Sequence, residues 1–307
     1  MTIKIGIVGF GKIAQDQHGP AIAAMPDAEL VAIADPAVEA EDIACYTNIN
    51  AMLEGEPHLD AVAMCQPPQA RFAAARAALM AGKHVLLEKP PGATLSEVES
   101  LIALAREKGV TLFTAWHSQQ ASAAKAGRAW LADKTIHSVA INWKEDVRVW
   151  HPGQQWIWQP GGFGVFDPGI NALSLLTAIM PETIRLTAAE LFTPANRAAP
   201  IAANLTLATA SSVPITAEFD FRQTGPQNWD MVVETASGTL LLQHGGNLMS
   251  IDGQAQACGT QSEYPRLYRR FLDLISQGNS DVDLAPLKLV ADAFMIGRFT
   301  LVEPFED

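Results

Sequence analysis

Gly9, Gly11 and Ala14 form the pattern G-x-G-x-x-A within Gly9-Phe10-Gly11-Lys12-Ile13-Ala14, directly after the β-branched run Ile3-Lys4-Ile5-Gly6-Ile7-Val8. Such spacing suits a dinucleotide pyrophosphate. The first glycine allows a tight turn, the second admits the phosphates, the small third residue lets helix and strand pack closely, and the phosphates meet the helix N-terminus. Lys12 and Ile13 lie inside that turn and belong to the expected cofactor site. Asp35 ends the second apolar run a little over twenty residues after Gly11, where a carboxylate accepts hydrogen bonds from the adenosine ribose hydroxyls. Its charge would repel a ribose 2′-phosphate and no arginine follows it, which favours NAD over NADP. Lys12 lies close enough to soften that repulsion, so NADP stays open. Further along, Asp167 and Asn171 are four residues apart on a predicted helix and so share a face.

Strands and helices must alternate to hold these groups. Apolar runs at 3–8, 30–35, 61–64, 85–88 and 110–113 read as five short strands. Helical stretches lie between them: one after the glycine turn, an alanine-rich one over 70–80 closed by Gly82, and one to about Lys108 with Ser96 as its expected N-cap. Parallel strands need such crossovers, and the result is a doubly wound sheet with its ligand at the carboxyl ends of the strands. Gln66-Pro67 and Glu88-Lys89-Pro90 follow the third and fourth of these strands, on the same edge as the glycine turn.

After about Ser122 the texture changes. One helix over 123–131 precedes period-two segments at 138–143, 203–209, 215–221, 231–234 and 239–243, which read as a mainly antiparallel sheet. Helices are expected at 167–179, 264–275 and 285–299. The fold class is therefore α/β: a Rossmann domain over 1–120, then an α+β domain over 121–307 expected to bind substrate and to associate with itself across its sheet.

Composition narrows the partners. Asp and Glu outnumber Lys and Arg by 33 to 21, a net charge of −12, and nothing supplies the basic footprint a nucleic-acid partner requires. No run approaches the roughly 18 uninterrupted apolar residues of a membrane span. No signal-peptide pattern opens the sequence, and Cys45, Cys65 and Cys258 are scattered without metal-ligand spacing. A reducing cytoplasm and no metal are the expectations.

The glycine turn, Gln66-Pro67-Pro68, Glu88-Lys89-Pro90 and the glycine-rich entry to the helix bearing Asp167 together resemble the glucose-fructose oxidoreductase and inositol dehydrogenase family, over nearly the whole length. Within it, residues 142–148, 151–153 and 161–171 are similar to bacterial aldose 1-dehydrogenases acting on D-galactose or L-arabinose. The resemblance implies oxidation of the anomeric carbon to an aldonolactone, with hydride passing to the nicotinamide. Gln66, Pro67, Glu88 and Lys89 then join the expected cofactor contacts.

That reaction needs a proton acceptor for the C1 hydroxyl. The family commonly has histidine where Asn171 stands, and an amide takes no proton at neutral pH. Proton abstraction then falls to Asp167 or Lys89, with Asn171 orienting the hydroxyl. His117, Glu145, His151 and Trp229 are the expected sugar contacts, and Trp150, Trp156 and Trp158 are read as packing. Two alternatives remain: an inositol or polyol dehydrogenase, and a non-catalytic sugar or nucleotide sensor on the same fold.

Overall fold

The computed structural model describes residues 2–40, 42–259 and 262–306. The chain divides into two compact units, residues Met1–His117 with Ser262–Asp283, and Ser118–Gln261 with Leu284–Asp307.

The first unit holds a parallel six-stranded sheet: β1 (Ile3–Val8), β2 (Ala28–Ala34), β3 (Ala44–Tyr46), β4 (Ala61–Met64), β5 (His84–Glu88) and β6 (Leu112–Ala115), in the spatial order β3-β2-β1-β4-β5-β6. Strand order reverses between β1 and β4, which opens the crevice where ligands of doubly wound sheets bind. Side chains alternate across the sheet. Val8, Val62, Met64, Val85 and Leu87 pack under Ala75, Ala78 and Leu79 of α3 (Pro68–Met80) and Leu101 and Ala105 of α4 (Leu95–Lys108). Ile5, Ile7, Ala61, Ala63, Leu86 and Phe113 face the other way.

That second face is closed by a distant segment. Tyr264, Leu267, Tyr268, Phe271 and Leu274 form one apolar stripe on a helix over Glu263–Gln277 and are buried against it. The sequence reading gave everything after residue 120 to the second domain. The structure instead groups Ser262–Asp283 with the nucleotide-type sheet, because the open face needs a cover of that shape.

Local details also depart from expectation. Helix α4 is capped by Thr94, whose hydroxyl accepts from Glu97 N at 3.3 Å, and not by Ser96. The edge strand β3 and the short helix Ile49–Gly55, capped by Asn48, were not expected. Both are too short to show a period in sequence.

The second unit carries a nine-stranded mixed sheet. Its strands are β7 (Ile136–Lys144), β8 (Ile184–Pro194), β9 (Ala202–Thr209), β10 (Pro214–Asp220), β11 (Asn228–Thr235), β12 (Gly238–Gln243), β13 (Leu248–Ile251), β14 (Gln254–Ala255) and β15 (Arg298–Val302), in the order β14-β13-β12-β11-β7-β10-β9-β8-β15. All neighbours are antiparallel except β7 with β10 and β8 with β15. Its inner face, including Val139, Ile141, Ile215, Phe219, Met231 and Val233, is buried. The long helix α7 (Phe166–Ile179) packs near it, and a Cβ on Gly169 would stand 2.7 Å from the Phe219 ring. Gly169 therefore permits the close approach that sets α7 against the sheet. The expected helix over 285–299 stops at Ile296, and Phe299 belongs to β15.

Candidate active site

The first unit builds the nucleotide cradle at the carboxyl ends of β1, β2 and β4. Gly9 has φ of +82°, and a Cβ there would lie 2.8 Å from Gln66 N, so the position accepts only glycine without strain. A Cβ on Gly11 would meet nothing within 4 Å, leaving the backbone open to a phosphate. Ala14 is fully buried, as close packing of the turn requires. Asp35 Oδ2 accepts from Phe10 N at 2.8 Å and Oδ1 from Ala37 N at 2.9 Å. The acid expected to read the ribose thus also braces the glycine turn. Gln66 Oε1 is buried without a hydrogen-bond partner, a state a bound ligand would relieve. These features fit a dinucleotide. Ile13 lies exposed in the turn, and Lys12 is ion-paired with Asp16. Pro67 sits at the N-cap of α3.

Lys89 directly follows β5, and its flanking backbone is clamped. The buried guanidinium of Arg71 on α3 donates to the carbonyls of Glu88 and Pro90, on either side of Lys89, and to that of Gln66. The sequence reading missed Arg71. The one available signal was an arginine inside an alanine-rich helix, which by itself reads as a solvated position.

Glu88, expected among the cofactor contacts, turns its carboxyl group into the core. Its carboxyl group is buried: Oε2 lies 3.1 Å from His18 Nε2, and Tyr264 OH donates to Oε1 at 3.4 Å. His18 Nδ1 in turn lies 2.8 Å from Tyr268 OH. Burial alone would push the His18 imidazole down, but Cys65, Tyr268 and Glu88 around it hold its pKa well above the ordinary histidine value. Burial would raise Glu88, yet His18, with His117 and Lys89, brings it below the ordinary carboxylate value. Burial pushes Tyr268 up to about 12. Glu88 therefore anchors the start of the Lys89 turn from within the core.

A pH-dependent stability follows. The depressed Glu88 contributes fully above its unfolded pKa and loses that contribution as pH falls through its folded value. The raised His18 contributes fully below its unfolded pKa and loses that contribution as pH rises through its folded value. Both contributions are complete between about pH 5 and 6.5. His18→Gln is expected to cost about 3 kcal/mol in that window, since it leaves a buried carboxylate uncompensated, and less on the alkaline side. Thermal denaturation across pH checks this, and a deficit that is constant from pH 5 to pH 10 would refute it.

His117, expected at the sugar, belongs to this first unit. Its Nδ1 is held by Glu263 Oε2 at 2.5 Å, and its ring stacks on Tyr264 with centroids 5.6 Å apart.

The second unit brings together residues widely separated in sequence. Glu145 follows β7, Asp167 lies in the first turn of α7, and His151 caps the short helix α6 (Val147–Trp150). His151 Nε2 lies 3.4 Å from Glu145 Oε1 and 3.5 Å from Asp167 Oδ2, and both acids are buried. Trp229 Nε1 donates to Glu145 Oε2 at 2.9 Å. Asp146 sets the start of α6, accepting from Arg148 N at 3.0 Å. One turn beyond Asp167, Asn171 has its Oδ1 buried and without a hydrogen-bond partner. The group offers two carboxylates, an imidazole and an amide around one locus, which suits recognition of hydroxyls and transfer of one proton. Trp150, read from sequence as packing, is 44% exposed and meets Trp229 edge-on at 5.4 Å. It presents an open aromatic surface beside the acids.

A parallel sheet in this strand order, with its glycine turn and terminal acid, defines a dinucleotide-binding oxidoreductase fold. Residues 3–116 match the family described as "Oxidoreductase family, NAD-binding Rossmann fold". The similarity runs well past that segment. A galactose 1-dehydrogenase of Pseudomonas fluorescens is 47% identical over 305 residues, 99% of each chain. The crystal structure of a D-galactose-1-dehydrogenase from Rhizobium etli is 55% identical with a TM-score of 0.95, covering 99% of this chain and 98% of that one. A 3-ketoreductase from Actinomadura kijaniata shares the fold at 21% identity and a TM-score of 0.87, covering 98% of this chain and 100% of that one. The chain belongs to the glucose-fructose oxidoreductase and inositol dehydrogenase family of NAD-binding oxidoreductases.

Proposed function

We propose that this protein is an NAD(P)-dependent aldose 1-dehydrogenase that oxidises the anomeric carbon of a sugar such as D-galactose or L-arabinose to the aldonolactone. The observation that carries the reading is the cluster of the buried acids Glu145 and Asp167 about the half-buried His151, next to Trp229 and one helical turn from Asn171. Similarity to two galactose 1-dehydrogenases supports galactose as the sugar.

In this reading the sugar's C1–H bond breaks as hydride departs, the C1–O bond becomes the lactone carbonyl, and the hydroxyl proton passes to a protein base. NAD(P) supplies the hydride acceptor when bound. Asp167 or Lys89 takes the proton, and Asn171 donates its amide N–H to the C1 oxygen. Glu145 and His151 hold ring hydroxyls. Trp229, fixed through its indole N–H, and the exposed Trp150 offer faces to the apolar side of the ring, where C–H groups cluster.

Mixing purified protein with NAD or NADP and a panel of aldoses and inositols tests this directly. Reduced nicotinamide should accumulate fastest with galactose, and turnover of inositols alone would reject the reading. For cofactor choice, Asp35→Ser is expected to move the NAD/NADP ratio of kcat/KM at least about tenfold toward NADP, roughly the 1.4 kcal/mol value of one charged contact. An unchanged ratio would remove Asp35 from ribose recognition.

Self-association belongs to the same proposal. Met295, Ile296, Phe299 and Leu301 are exposed around the edge strand β15, a surface that favours a partner. A monomeric mass by light scattering would oppose it. Among the described residues no helix is long and apolar enough to cross a membrane, and a cytoplasmic location remains part of the proposal.

A further inference from the structure

We propose that Phe305, remote in sequence from the sugar cluster, is a positioning residue for His151, acting through a stack of aromatic rings. The inference rests on the reading above that His151 holds the sugar. Residues 303–306 follow β15, and Phe305 is held at its backbone from two directions. Its N–H donates to Asn196 Oδ1 at 2.9 Å, while its carbonyl accepts from Asn196 Nδ2 at 3.1 Å and from Arg197 Nε at 3.1 Å. The Phe305 ring meets Trp158 at 5.9 Å, and the Arg148 guanidinium lies 6.0 Å from its centroid.

The chain of rings continues inward. Trp158 is buried with the Arg197 guanidinium 5.4 Å from its ring, and it meets Phe221 edge-on at 5.9 Å. Phe221, fully buried, contacts the His151 imidazole at 5.6 Å. Each separation is in the range where aromatic pairs attract.

His151 needs such support. It ends a helix of a single turn, and a single turn does not sustain its own geometry, so packing must fix the imidazole. Besides the two acids and the Phe221 ring, its side chain meets Gln154 Oε1, 3.5 Å from Nδ1. A core ring pair therefore decides where Nε2 sits between Glu145 and Asp167. Phe305 closes the outer end of that ring stack, and Asn196 and Arg197 anchor Phe305 to the end of β8.

The test compares Phe305→Ala, Phe305→Tyr, His151→Asn and the Phe305→Ala/His151→Asn double variant by steady-state kinetics with galactose, alongside cofactor titration. Phe305→Ala is expected to raise KM for galactose about tenfold with the dissociation constant for NAD unchanged, because a displacement near 1 Å at a binding group has effects of that order or larger. Phe305→Tyr keeps the ring and should restore the KM. The double variant should show no KM increase beyond His151→Asn alone, the signature of two residues acting through one contact. A lowered melting temperature with unchanged KM in Phe305→Ala, or additive KM effects in the double variant, would overturn the proposal. If His151→Asn raises KM and Phe305→Ala does not, the ring stack is refuted while the sugar-site reading stands. If His151→Asn itself leaves KM unchanged, the sugar-site reading falls and the inference falls with it.

Discussion

Asp167→Asn is expected to lower kcat for galactose oxidation by about 10²–10⁴-fold, the range for loss of a positioned general base, while the dissociation constant for NAD stays within about twofold. Asparagine preserves the size and a hydrogen-bonding group at the start of α7, but its amide accepts no proton. The buried position of Asp167 beside the His151 imidazole means the change removes charge from an enclosed site rather than from solvent. Stopped-flow and steady-state measurements with galactose check this. Near-normal turnover would take Asp167 out of the chemistry.

Lys89→Ala is the second large effect: kcat should fall about a hundredfold or more, with cofactor binding largely retained through Gly9, Gly11 and Asp35. The backbone at this position is held independently of the side chain, since Arg71 binds the carbonyls on both sides and Glu88 is anchored to His18. Loss of the side chain therefore should not collapse the turn. A clearly smaller loss of kcat in Lys89→Ala than in Asp167→Asn would assign proton abstraction to Asp167 and charge stabilisation to Lys89. A variant with full activity would reject any role for Lys89 in the reaction.

Much of the nucleotide unit is legible in the sequence, because its signals are local. A glycine turn, a buried strand and an acid at the next strand end are neighbours along the chain or one crossover apart, and backbone sterics make their types obligatory. Gly9 shows this directly, with a positive φ and no room for a Cβ. The short edge strand β3 and the late strands β8 and β13–β15 escaped because brief or irregular segments carry no readable period. Trp150 packs on Trp229 yet stays 44% exposed, which only the fold reveals, since tryptophan in sequence signals burial.

The sequence by itself determined that a dinucleotide meets a parallel sheet, which acids and amides stand ready for chemistry, and that Asp167 and Asn171 share a helical face. Tertiary structure alone decided what surrounds them. His18 and Tyr268 are 250 residues apart, Trp229 and Glu145 are 84 apart, and helix Glu263–Gln277 returns from the far end of the chain to close the first sheet. Periodicity is a property of a few turns or strand residues. Such encounters are instead selected by the complementarity of whole apolar faces, and a single sequence carries no local trace of which distant face will fit.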